Sequence, residues 1–208
     1  MYLPKQFEVT SVEVLHALIR EKPLATVVTL NGGRIEANHI PLSLSENSGP
    51  YGTLCGHVAK SNPLWRDHPA DSDLLVIFHG AESYVSPSWH ASKAESGKVV
   101  PTWNYVSVQA KGRLRVIHEP DWILSRLEAL TAHQEAGFEH PWAVADAPQE
   151  FTRKLLEQIV GIEIEITELT GKFKVSQNRS EQDRASVARG LADAGKHEMA
   201  ALVVREGR

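Results

Sequence analysis

The sequence predicts an α+β protein organised around an antiparallel β-barrel. Two observations carry that expectation. Between residues 25 and 117 the apolar, β-branched runs are short, closely spaced and separated by turns with few helices, which favours antiparallel pairing over a parallel α/β sheet. Near the other end, Ile162-Glu-Ile-Glu-Ile166 alternates strictly, as a strand does with one face in the core and one in water. The 208 residues, 42% hydrophobic and 23% charged, match ordinary soluble chains and suffice for one domain with a small helical appendage. The expected division is a barrel domain over 1–178, including inserted helices at about 120–160, and a helical extension over 179–208.

A helix is expected over roughly 11–21, where Val12, Leu15, Leu18 and Ile19 recur at helical spacing behind a capping box at 10–13. Residues 25–30 and 34–44 read as two strands joined by Asn31-Gly-Gly33, a hairpin turn, with Pro41 at an edge, bulge or strand end. After a polar turn at 45–50, residues 51–58 form a third strand. Asn62-Pro63 then opens a short helix with first-turn amides free for an anion. Residues 73–80 read as a central strand, 84–88 as another, 93–98 as a polar loop and 103–117 as one or two more. Pro120 opens a helix to about 133, and a second runs from about 146 until Gly161 ends it. Residues 171–175 close the barrel. Residues 180–194 and 197–204 read as two last helices.

Composition excludes several functions. A net charge of −4 gives no general attraction to nucleic acid and no helix-turn-helix pattern stands out, so direct DNA binding would need a local basic face, for which Arg179, Arg184 and Arg189 are the candidates. The single cysteine, Cys55, has no intrachain disulfide partner. The N-terminus lacks a secretory leader and the apolar run at 74–78 is too short to span a bilayer, so the expected location is the cytoplasm, with no membrane partner. No nucleophile elbow, phosphate loop, dinucleotide fingerprint or metal-ligand spacing occurs, despite ten histidines.

What remains is the stretch 83–117, which gathers Tyr84, Trp89, Lys93, Trp103, Asn104 and Tyr105 with several hydroxyls. Aromatic faces can sandwich a flat ring while amides, hydroxyls and a cation fix its polar edges; the same residues also suit a packed barrel corner. A second polar cluster, Lys172 to Arg179, can grip an oxyanion or stand as a solvated loop. For His39 and His57 the plain alternatives are a strand-end histidine bonded to backbone and a partly buried barrel residue.

Several segments in order resemble the PaiB family of flavin-binding negative transcriptional regulators: Met1-Tyr-Leu-Pro, His39-Ile-Pro-Leu, Gly56-His-Val-Ala-Lys-Ser-Asn-Pro-Leu-Trp, Tyr84-Val-Ser-Pro-Ser-Trp, Val99-Val-Pro-Thr-Trp-Asn-Tyr, Ile159-Val-Gly-Ile-Glu and Lys172-Phe-Lys-Val-Ser-Gln-Asn-Arg. The chain departs from that pattern at His90, where a tyrosine is expected, and at Gln109, where a histidine is expected. The resemblance implies an antiparallel split β-barrel with peripheral helices, FMN as cofactor, and a homodimer with flavin at the subunit interface. By the same resemblance Asn38 and His39 face the flavin, His57, Lys60 and Ser61 approach its phosphate, and Trp89, Lys93, Trp103, Asn104 and Tyr105 line the ring pocket. Gln177, Asn178 and Arg179 close it. The implied function is PaiB-type regulation with a regulatory or DNA partner; the alternative is a flavin-dependent oxidoreductase of the pyridoxamine-phosphate oxidase type.

Overall fold

A computed structural model, described over residues 1–46, 49–69 and 72–206, contains eight strands and seven α-helices. In chain order these are β1 (Glu8–Val9), α1 (Val12–Glu21), β2 (Leu24–Asn31), β3 (Arg34–Pro41), β4 (Ser43–Ser45), β5 (Thr53–Ala59), α2 (Leu64–Asp67), β6 (Asp73–Val85), α3 (Lys93–Ser96), β7 (Thr102–Ile117), α4 (Pro120–Glu135), α5 (Gln149–Leu156), β8 (Ile159–Lys174), α6 (Glu181–Asp193) and α7 (His197–Arg205). The strands follow the order β3-β2-β6-β7-β8-β5-β4, with β1 on β8. The pairings of β2 with β3 and β6, β5 with β4 and β8, and β1 with β8 are antiparallel.

The chain folds as two compact units. The first comprises Met1–Leu15, His79–Val108 and Thr170–Arg208, the second His16–Phe78 and Gln109–Leu169. Within the second, Gly32 and Gly33 take positive φ of 53° and 83°, the left-handed conformation that an Asn-Gly-Gly turn supplies at little cost. Pro41 is the last residue of β3, which is an edge strand, so its missing N–H costs no ladder bond. The core of this unit is made by inward residues such as Val27, Leu54, Val76, Phe78, Ile162 and Ile164, all buried. The first unit buries Phe7, Val85, Val108, Phe173, Leu191 and Met199.

Three expectations needed correction. Residues 73–85 form one strand, as do 159–174; flanking strands supply ladder partners along these stretches and override the local break signals. Gly161 lies inside β8 and ends no helix, since α5 stops at Leu156. A Cβ at Gly161 would stand 2.7 Å from the Trp122 ring and 3.1 Å from Ile117 and Ile123, so this glycine admits the first turn of α4 against the strand. At the start of α1 the Ser11 hydroxyl, not that of Thr10, meets the Val14 N–H, at 3.4 Å. Part of the turn expected at 45–50, Asn47 and Ser48, lies outside the described residues.

Candidate functional site

The candidate residues divide between the two units, five in the second and eight in the first. In the second unit, Asn38 and His39 stand next to each other on β3 opposite Val27 and Thr26. The Asn38 side-chain carbonyl accepts from the Asn62 amide at 2.8 Å, and the Asn62 carbonyl accepts the Leu64 N–H at 2.9 Å. The Leu64 amide, the first of α2 and expected to be free for an anion, is thus already bonded. His39 is exposed and bonds the Thr26 hydroxyl at 3.2 Å. Ser61 is exposed. The Lys60 backbone N–H donates to the Gln158 carbonyl at 2.8 Å, and its side chain lines a cleft of about 970 Å³ with Arg153, Asp121, Glu150 and Glu157.

His57 lies on β5, half-buried. Burial holds its imidazole below the ordinary value of 6.5. Because the folded pKa lies below the unfolded one, this histidine's contribution to stability is full above about 6.5 and is lost as the pH falls from there through the folded value. The expected result is a His57 ring resonance titrating below 6.5, with a denaturation midpoint that decreases over the same interval; an NMR midpoint at or above 6.5 would contradict the burial.

In the first unit, Trp103 and Tyr105 alternate with Asn104 along β7, so the two rings share one side of the strand and the amide takes the other. Trp103 is 53% exposed and Tyr84, on β6, 45% exposed; their rings meet edge to face with centroids 6.2 Å apart. A cleft of about 530 Å³ is lined by His79, Gly80, Glu82, Trp103, Tyr105 and Val106. Asn104 is buried and donates to the Ser176 hydroxyl at 2.9 Å. That bond pins Ser176 in the left-handed region at φ 66°, a conformation a serine holds only when its surroundings over-determine it. Gln177 is spent locally: its amide accepts from the Val175 N–H at 2.8 Å and donates to the Phe173 carbonyl. Asn178 is exposed and Arg179 half-buried.

Trp89 ends a 3-10 turn, Pro87–Trp89, and packs flat against α6, where a Cβ on Gly190 would fall 2.4 Å from the ring. Lys93 reaches back to the Ser88 hydroxyl at 3.1 Å. Beside them Asp183 of α6 accepts both the N–H and the O–H of Ser92, at 2.9 and 2.8 Å, with the buried His90 ring 3.8 Å away. Burial alone would raise the Asp183 pKa, but the two Ser92 bonds, His90 and the Ser180 hydroxyl hold the carboxyl below the usual carboxylate range.

Three participants escaped the sequence reading as individuals: Asn62, Lys172 and Lys174. The signal for the lysines was present, since residues two apart on a strand point to one side. The ammonium of Lys172 sits 5.4 Å from the Tyr105 ring and 5.5 Å from the Tyr2 ring, and that of Lys174 bonds the Thr102 hydroxyl and the Trp103 carbonyl. Among the described residues no group of three or more His, Cys, Asp or Glu is placed to hold a metal ion, and no helix is long and apolar enough to cross a membrane.

The family described as "Putative FMN-binding domain" matches residues 1–168. The chain is 34% identical over 191 residues to "Protease synthase and sporulation protein PAI 2" of Bacillus subtilis, covering 92% of this chain and 89% of that protein. It is 33% identical to an uncharacterized protein of Emericella nidulans, covering 99% and 97% of the two chains. Among solved structures, the FAD and heme binding protein from Mycobacterium smegmatis aligns with a TM-score of 0.60 at 22% identity, over 80% of this chain and 73% of that one. The flavocytochrome Anf3 from Azotobacter vinelandii aligns at 0.57 and 16%, over 86% and 75%. At such identities the structural likeness speaks for the fold, the antiparallel split barrel with peripheral helices.

Proposed function

This chain belongs to the FMN-binding domain family, and from that premise we propose that it is a PaiB-type negative transcriptional regulator that carries FMN, acting as a cytoplasmic homodimer with flavin at the subunit interface. The cofactor is a flavin, FMN in particular. The observation that carries the reading is the aromatic side of the first unit, where the exposed Tyr84 and Trp103 rings meet edge to face, the half-buried Tyr105 ring faces the Lys172 ammonium, and the Lys174 ammonium bonds the Trp103 carbonyl. Large rings left in water together mark a binding surface. The chemistry of this set fits the group: ring faces suit a flat heteroaromatic system, and ammoniums suit a phosphate.

In this reading Trp89, Lys93 and Asn104, all of the first unit, support its pocket. One fold hosts both binding proteins and enzymes, so the test must separate regulation from turnover. The purified protein is expected to retain flavin absorption after FMN is added and free ligand dialysed away; a colourless protein overturns the cofactor assignment. A flavin-dependent gel shift on its own promoter region supports regulation. Steady oxidation of reduced nicotinamide with no shift would replace that reading with an oxidoreductase, in which FMN supplies the redox chemistry and the chain orients it.

A further inference from the structure

We propose that the cleft between α4 and α5 binds a small zwitterion with an apolar body, the chemistry of a free apolar amino acid or a short apolar peptide. The cleft belongs wholly to the second unit, and the proposal does not depend on the flavin reading. Gln149, Thr152, Arg153 and Leu156 line it from α5, and their spacing of three, four and seven residues makes them one face of that helix. Asp121 and Leu124 line it from α4, and Ile159 adds a side chain from β8. Together they bound about 970 Å³, the size of a small-molecule site. None of the residues of α5 is buried, and Leu124, Leu156 and Ile159 are only half-buried. Two helices thus direct apolar side chains at one shared cleft, and a ligand with an apolar body takes that surface out of water.

Charge sets the ends of the ligand. Arg153 and Glu157 stand four residues apart on α5 and both line the cleft, yet neither makes a side-chain hydrogen bond or ion pair among the described residues. Glu150 and Lys154, at the same spacing on the same helix, do pair, at 3.1 Å. The order explains the contrast, because acid before base is the favourable arrangement along a helix and base before acid the weaker one. Lys60 and Asp121, also on the lining, are likewise without a side-chain partner among the described residues. One cleft therefore offers two cations and two carboxylates that do not satisfy one another.

A ligand carboxylate suits the Arg153 fork, with Lys60 as the second cation, and a ligand ammonium suits Glu157 and Asp121. A phosphate fits less well, since Asp121, Glu150 and Glu157 outnumber Lys60 and Arg153. A simple amine would leave both cations unmatched. Only a molecule carrying both charges meets both sets.

The test is calorimetric titration of the full chain with leucine, leucyl-leucine and glycine, and with two leucine analogues that each lack one end: isocaproate, without the ammonium, and isoamylamine, without the carboxylate. Wild type and the control Lys111→Met, which breaks an exposed pair with Glu168, are expected to bind leucine about tenfold or more tighter than either analogue, the range of one hydrogen bond to a charged group. Leucyl-leucine binding tighter than leucine assigns the peptide, and the reverse order assigns the free amino acid. Arg153→Gln should narrow the ratio of leucine to isoamylamine, and Glu157→Gln the ratio of leucine to isocaproate, each sparing the other ratio. Both residues are exposed, and loss of folding cannot produce that crossed pattern. Wild type that binds neither leucine nor leucyl-leucine overturns the site. So does wild type that binds glycine or the one-ended analogues as tightly as leucine, or a pair of variants that both keep the wild-type ratios.

Discussion

Replacing Trp103 with alanine is expected to weaken FMN binding by roughly 5- to 150-fold, the range that loss of one stacked aromatic contact of about 1–3 kcal/mol produces. Trp103 leaves 53% of its surface in solvent and touches Tyr84 only edge to face, so its ring contributes less to the core than its size suggests and more is available to a ligand. The denaturation midpoint should therefore move little. Fluorescence titration with FMN, paired with a urea melt of the same variant, reads both quantities. Unchanged affinity with a lowered midpoint would make Trp103 a packing residue and move the ring pocket elsewhere. Trp103→Phe should recover much of the lost affinity, because it keeps an aromatic face.

Asp183→Ala is expected to lower stability by roughly 2–5 kcal/mol, the magnitude for removing one member of a buried polar network. Asp183 is buried, and the carboxylate receives two donors from Ser92. Its loss leaves those donors unpaired. It also removes the carboxylate that lies 3.8 Å from the His90 ring, whose two nitrogens have no hydrogen-bond partner among the described residues. Urea denaturation at neutral pH measures the loss, and a change under about 1 kcal/mol would mean that water takes over the carboxylate's bonds. The pH dependence has a definite sign. A folded pKa held below the unfolded value gives stability that is present above the usual carboxylate range and disappears as the pH falls through the folded value. The gap between wild type and variant should accordingly narrow in acid. Asp183→Asn, which keeps one acceptor, should lose less.

His90 stands in this network where the resemblance led to the expectation of a tyrosine. The imidazole packs beside a carboxylate instead of presenting a hydroxyl, and α6 meets the same turn through Gly190 on Trp89. Trp89, singled out as a pocket residue, is thereby also the docking plate for a helix. A substituent at Gly190 would displace it.

Helices α1, α4, α6 and α7 and the β2–β3 hairpin were legible because their signals are local: apolar residues three and four apart, a proline at a helix start, an Asn-Gly turn. The family motifs and the aromatic and cationic chemistry of the site were legible for the same reason, since they are short runs of residue types. Glycine misled the reading where its role was tertiary. Gly161 suggested a helix end, yet it lies within β8. Gly112 on β7 has the same character: a Cβ there would lie 2.3 Å from the Glu165 carbonyl oxygen.

The sequence by itself determined the class of elements, the family, and the kinds of side chain available to a flat anionic ligand. Only the tertiary structure decided how they are used. It turned Asn104 inward to Ser176, closed Gln177 on its own turn, bonded Asn62 to the first amide of α2, and set Lys172 on Tyr105 and Lys174 on the Trp103 carbonyl. The physical reason is range. Propensity and periodicity act over a few neighbours, whereas strand pairing, the space left for a missing Cβ and the meeting of like charges depend on residues as far apart as Lys172 and Tyr2, which nothing in the local pattern connects.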